Sequence, residues 1–187
     1  MNQSVKTALQ KLVLSALFVA IGIVLPFFTG QIQQIGNLLL PMHLPVFLCG
    51  LICGWQYGAV VGVILPLLRS FLFQMPPLYP NAIAMAVELA VYGLIAGLIY
   101  HMLKRQNVLS VYISMLPAML LGRAAWGVAQ IVLIGLQQNA FTWQMFFAGA
   151  FLNAVPGIVL QLVLIPAIMS ALHLTGVLKF KKEETHG

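Results

Sequence analysis

Arg69, Glu88 and Arg123 stand inside long apolar runs of a chain in which 6% of residues are charged, and they are the side chains whose types could do chemistry. One carboxylate and two guanidinium groups can hold one another, or they can hold a small charged ligand. An arginine offers five N–H donors in a planar fork that meets a carboxylate through two parallel bonds. Other polar residues recur at helical spacing around them. Glu88 and Tyr92 share a face at i,i+4; Arg123, Trp126 and Gln130 share one at i,i+3 and i,i+7; Asn153 and Gln161, eight apart, share a third. Tyr92 and Trp126 either line a site or pack beside it. His43 ends the polar-then-apolar stretch "TGQIQQIGNLLLPMH" and either meets a ligand or is a solvated loop histidine.

Enzyme chemistry finds no support in these residues. There is no GxxxxGK[ST] phosphate loop, no HExxH, no GxS motif and no pair of intramembrane carboxylates, so neither a metal nor an organic cofactor is expected. Cys49 and Cys53, four apart in an apolar run, read as small packing residues on one helix face.

The elements that position these residues must be membrane helices. The composition is 61% hydrophobic with a mean hydropathy of +1.01. An ordinary soluble domain is roughly 25% charged. Hydropathy predicts one membrane domain over 1–187 with six spans at about 11–28, 44–54, 57–73, 82–103, 108–136 and 146–173. The first span is expected to be a retained helix, because no small-x-small cleavage site follows it. As one helix, residues 44–73 would run about 45 Å against a hydrocarbon core of ~30 Å, so "CGWQYG" is expected to turn between a short helix and a longer one. Gly50, Gly54, Gly58 and Gly62 recur at every fourth position and predict close packing of the second and third spans.

Six spans place Lys6, Lys11, Lys104, Arg105, Lys179, Lys181 and Lys182 on one side, which the positive-inside rule makes cytoplasmic, together with both termini. The loops at 29–43, 74–81 and 137–145 then face outward, the second stiffened by Pro76, Pro77 and Pro80 and the first able to lie over a cavity as a lid. On this topology Glu88 lies ~9 Å below the outer start of its span, and Arg69, Arg123 and Asn153 fall at a similar level. A charge in hydrocarbon costs at least ~2.5–3.5 kcal/mol, so these groups should face the bundle interior. Arg69 and Glu88 can pair there, either as a lock between helices or within an outward-opening pocket. Counting Arg69, Arg123 and Glu88, the pocket carries +1 and favours a small anion or zwitterion.

With these features the chain resembles the substrate-binding subunit, or S component, of an energy-coupling-factor (ECF) vitamin transporter. The resemblance rests on six spans in 187 residues, a long first outer loop, the small-residue region "HLPVFLCGLICGWQYGAVVGVILPLL", and "SALFVAIG", in which Ala16 and Ala20 form an AxxxA pair. It implies an ECF-type all-α bundle in the plasma membrane of a prokaryote. It also implies a vitamin or precursor captured on the outer side by the first outer loop and helices four to six, where Glu88, Arg123 and Asn153 lie. Partners would be a transmembrane coupling protein, docked through Ala16 and Ala20, and two cytoplasmic ATPases, with no role for nucleic acid. Two arginines suit a small carboxylate such as pantothenate or nicotinate; pyridoxine-like vitamers or a queuosine-type precursor would use Glu88. A stand-alone permease and a non-transporting scaffold are the competing readings.

Overall fold

The structure is a computed structural model that describes residues 3–29, 39–136, 142–149 and 154–176. These residues form helices and no strand: α1 (Gln3–Val24), continued by a 3₁₀ turn (Leu25–Thr29), α2 (His43–Cys53), α3 (Trp55–Phe73), α4 (Ile83–Met102), α5 (Val108–Leu136), the short α6 (Trp143–Phe147) and α7 (Val155–Leu174). Five segments are long and apolar enough to cross a membrane, and His43–Cys53 is a shorter apolar helix.

Apolar side chains fill the core, as in a water-soluble protein, but they also cover the outside, and several polar side chains lie within. Ser15, Ser70, Ser110, Ser114, Gln130 and Gln161 are buried, whereas Leu12, Val13, Leu17, Leu120, Val128 and Val163 are exposed. Lipid accepts Leu and Val as readily as a core does, so small and polar residues collect where helices meet. On α1, Ser15, Phe18 and Gly22 follow i,i+3,i+7 spacing and face the bundle.

Three differences from the hydropathy windows have local causes. α1 starts at Gln3 rather than near 11, because hydropathy reports lipid contact whereas "QSVKTALQ" contains nothing that stops a helix. At the window 146–173 the described residues form α6, capped by Thr142 accepting the Met145 N–H, and α7, which begins at Val155 with Pro156 in its first turn where its missing N–H costs nothing. Gly54 is not a packing glycine. Its φ of +112° makes the turn between α2 and α3, and a Cβ there would meet only the Gln56 side chain, at 3.8 Å.

The close approach expected of α2 and α3 is shared with α4, which packs on α2, α3 and α5. Gly50 of α2, Gly58 of α3 and Gly93 of α4 meet backbone to backbone. A Cβ on Gly93 would lie 2.3 Å from the Gly58 carbonyl, and one on Gly50 would lie 2.6 Å from the Gly93 carbonyl oxygen. One helical turn away, Gly62 lets the Leu89 backbone press against α3, at 2.4 Å from where a Cβ would stand. α2 is consequently buried on nearly every side, with only Leu44 and Ile52 half-exposed.

Gly93→Ala should force these backbones apart and destabilise the bundle by ~1–3 kcal/mol. Gly135→Ala, where a Cβ meets nothing within 4 Å, should leave stability unchanged or slightly raised. Thermal unfolding of the detergent-purified variants checks this, and equal midpoints would contradict the packing account.

Candidate functional site

Leu89 faces α3, so Glu88, one residue earlier and about 100° around the helix, turns toward α2 and α5. Its Oε1 lies 3.0 Å from Arg123 Nη1 on α5 and 3.4 Å from His43 Nε2 at the first residue of α2. All three side chains are buried. The chain reaches this point through Leu40, held at φ +50°, whose carbonyl accepts the His43 backbone N–H at 3.1 Å. Such a conformation is unfavourable for a leucine and persists because the surroundings fix it.

Tyr92, one turn after Glu88, forms a wall of the cluster. Its ring stacks on Phe47 of α2 at 4.9 Å and tilts against His43 at 5.3 Å. Gly122, beside Arg123, makes room for it, since a Cβ there would lie 2.1 Å from the tyrosine ring. Trp126 lies one turn beyond Arg123, half-buried, with its ring 6.3 Å from that of Phe146 on α6. Phe146 in turn covers Gly127, so α6 packs over the α5 face that carries Arg123, Trp126 and Gln130.

Hydrogen bonding at this cluster is incomplete. Glu88 Oε1, Arg123 Nε and Nη2, Gln130 Oε1, Gln161 Nε2 and both imidazole nitrogens of His43 are buried without a hydrogen-bond partner among the described residues, so Glu88 meets Arg123 and His43 as an ion cluster rather than through well-aligned hydrogen bonds. Nη1 is cis to Cδ in a guanidinium, so the Nε–H and Nη2–H point the same way and form the side-on bidentate edge. Arg123 therefore meets Glu88 with Nη1, and its other two-donor edge has no partner among the described residues. Buried donors and acceptors left in this state cost about 1–3 kcal/mol each. The arrangement suits a polar molecule that brings two acceptors to Arg123.

Several expectations are corrected here. Arg69 does not pair with Glu88: its Nη1 donates to the Ile23 carbonyl at 2.8 Å, and its guanidinium lies 5.5 Å and 5.4 Å from the Phe27 and Phe73 ring centroids. The end of α1 exposes a carbonyl beside two aromatic faces, and this cradle satisfies a cation without a carboxylate. The ion cluster then carries −1 from Glu88 and +1 from Arg123, which sums to zero with neutral His43, rather than the +1 obtained by counting Arg69. His43 is buried, not solvated, because it begins the most enclosed helix of the bundle. Asn153 lies outside the described residues. Ala16 and Ala20 are exposed on the outer face of α1.

Sequence reasoning missed the His43 to Glu88 contact and the wall formed by Phe47 and Gly122. The i,i+4 pair His43 and Phe47 was a usable signal, as was a glycine directly before a buried arginine. Cys49 and Cys53 are free and buried, as packing residues, with Cys49 Sγ 3.5 Å from Ser15 Oγ. A separate open groove between the first turns of α1 and α3, lined by Ser4, Thr7, Ala8, Lys11, Gln56 and Tyr57, contains none of the cluster's side chains.

In comparison with known proteins, residues 10–169 match a family model described as "ECF transporter, substrate-specific component". No curated protein and no solved structure matches the chain.

Removing one partner of a buried ion pair leaves an uncompensated charge. Glu88→Leu should destabilise the protein by ~3–5 kcal/mol, and the double variant Glu88→Leu/Arg123→Met should recover most of that loss. Thermal unfolding of the two variants checks the coupling, and strictly additive losses would contradict it.

Proposed function

The chain belongs to the ECF transporter substrate-specific component family, and from that premise we propose that it captures a small carboxylate, such as pantothenate or nicotinate, for ATP-driven uptake. As a family member it is the substrate-binding subunit of an ECF transporter and not an enzyme, and it works with coupling and ATPase subunits. The observation that carries the carboxylate reading is the open Nε/Nη2 edge of Arg123. That edge is buried, it has the spacing of a carboxylate's two oxygens, and the pairing of Nη1 with Glu88 holds it in orientation. Glu88, Tyr92, His43 and Trp126 surround the ligand in this reading. Arg69 fixes the end of α1 rather than touching ligand.

The topology we propose has six passes with both termini in the cytoplasm of a prokaryotic cell and the site opening outward. It is supported by the seven basic residues that six passes bring to one side. α2, about 16 Å long at 11 residues, is too short to span alone, but a helix enclosed by its neighbours need not match the lipid thickness. Docking on the transmembrane coupling protein is assigned to the α1 face that carries Ala16 and Ala20. These small residues are exposed and leave that face open to close helix approach.

A thermal-shift screen of the detergent-purified chain against vitamins and their precursors tests the function. A ligand at 100 times its Kd should stabilise the protein by ~2.7 kcal/mol. Arg123→Ala should weaken binding of the hit by ~1.5–3 kcal/mol, and an unchanged Kd in a folded variant would remove Arg123 from the site. No hit from any carboxylate in the panel would overturn the substrate reading. Ala16→Leu should abolish co-purification with the coupling protein while leaving ligand binding intact. Retained co-purification would overturn the docking assignment.

A further inference from the structure

The charge balance of the cluster constrains how a carboxylate can enter it. Glu88 and Arg123 already neutralise each other at 3.0 Å, so an arriving anion finds no spare positive charge in that pair. A buried, unneutralised charge is strongly disfavoured. The group within reach that can supply the missing charge is His43. Its Nε2 is 3.4 Å from Glu88 Oε1, neither ring nitrogen has a hydrogen-bond partner among the described residues, and the residue is buried.

The groups facing His43 are Glu88 and Tyr92 from α4 and Arg123 from α5, while α2 itself carries no acidic or basic residue other than His43. Arg69, the other intramembrane cation, is committed to the Ile23 carbonyl and the two phenylalanine rings. Resting on the functional reading above, we propose that the His43 imidazole supplies the compensating charge, so that an anionic carboxylate is captured together with one proton taken from solvent onto His43. With imidazolium, guanidinium, Glu88 and the ligand carboxylate in place, the site sums to zero. Nε2–H then donates to Glu88, and Arg123 keeps its open edge for the ligand.

The sign of the pH dependence follows from this balance. A bound state that holds one more proton than the free state is weakened as pH rises. Affinity should fall by up to about tenfold per pH unit above the point where free His43 is neutral. It should level off at lower pH, where free His43 already carries the proton.

Isothermal titration calorimetry with pantothenate and with nicotinate at pH 7.5, in phosphate and in Tris buffer, tests the proposal. These buffers differ widely in ionisation enthalpy, so uptake of about one proton appears as a buffer-dependent binding enthalpy. His43→Gln should bind more weakly, with the same enthalpy in both buffers and a Kd that is flat between pH 6.5 and 8. Glu88→Gln removes the negative charge that makes the proton necessary, and it should also bind without proton uptake. A wild-type enthalpy identical in the two buffers overturns the proton linkage while leaving the binding function standing. Proton uptake that persists in His43→Gln overturns the assignment to His43. No binding heat from either carboxylate overturns the substrate reading and the linkage with it.

Discussion

The buried polar side chains of this bundle centre on one carboxylate, which meets a guanidinium and an imidazole in an apolar surrounding. Glu88 is buried between three helices, and its contacts at 3.0 Å to Arg123 and 3.4 Å to His43 join α4 to α5 and to α2. Taking two charges out of water costs several kcal/mol per ion, and attraction offsets that cost only when the remaining donors and acceptors are also satisfied. Among the described residues they are not all satisfied, since Arg123 Nε and Nη2 have no partner there. A purely structural lock would be expected to close on itself.

The glycine contacts set the geometry that makes the cluster possible. Gly50, Gly58 and Gly93 bring three backbones together, and Gly62 seats Leu89 against α3. With that rotation of α4 fixed, Glu88 and Tyr92 have one direction to face. Gly122 on α5 then admits the Tyr92 ring, which stacks on Phe47 and holds the imidazole of His43 at its edge. Arg69 works at a different point of the bundle, where it ties the end of α1 to α3 through the Ile23 carbonyl. The two arginines thus have separate roles, although each is a cation inside an apolar helix.

Helix class, the approximate spans and the prominence of Glu88 and Arg123 were legible in the sequence, because lipid contact and the cost of an intramembrane charge both leave marks in composition. The partner of each charge was not legible. The sequence suggests one level for Arg69 and Glu88 along their helices, but depth is one coordinate, and the rotation of α4 set by Gly62 and Gly93 directs Glu88 to Arg123. The role of His43 was hidden for a similar reason: hydropathy ends a helix at a histidine between two prolines, whereas the chain folds through Leu40 to begin α2 there. The starts of α6 at Trp143 and of α7 at Val155 go with the Thr142 cap and Pro156, local features that an apolar average smooths away.

The central claim is that the open edge of Arg123 receives the ligand while Arg69 does not. The chain has three arginines, Arg69, Arg105 and Arg123, so the Nε–H signals of arginine-labelled protein can be assigned by single substitutions and followed by NMR as ligand is added. The account predicts that the Arg123 Nε–H signal moves downfield on saturation, as a hydrogen bond forms, and that the Arg69 signal stays in place. A shift at Arg69 with Arg123 unmoved would contradict it.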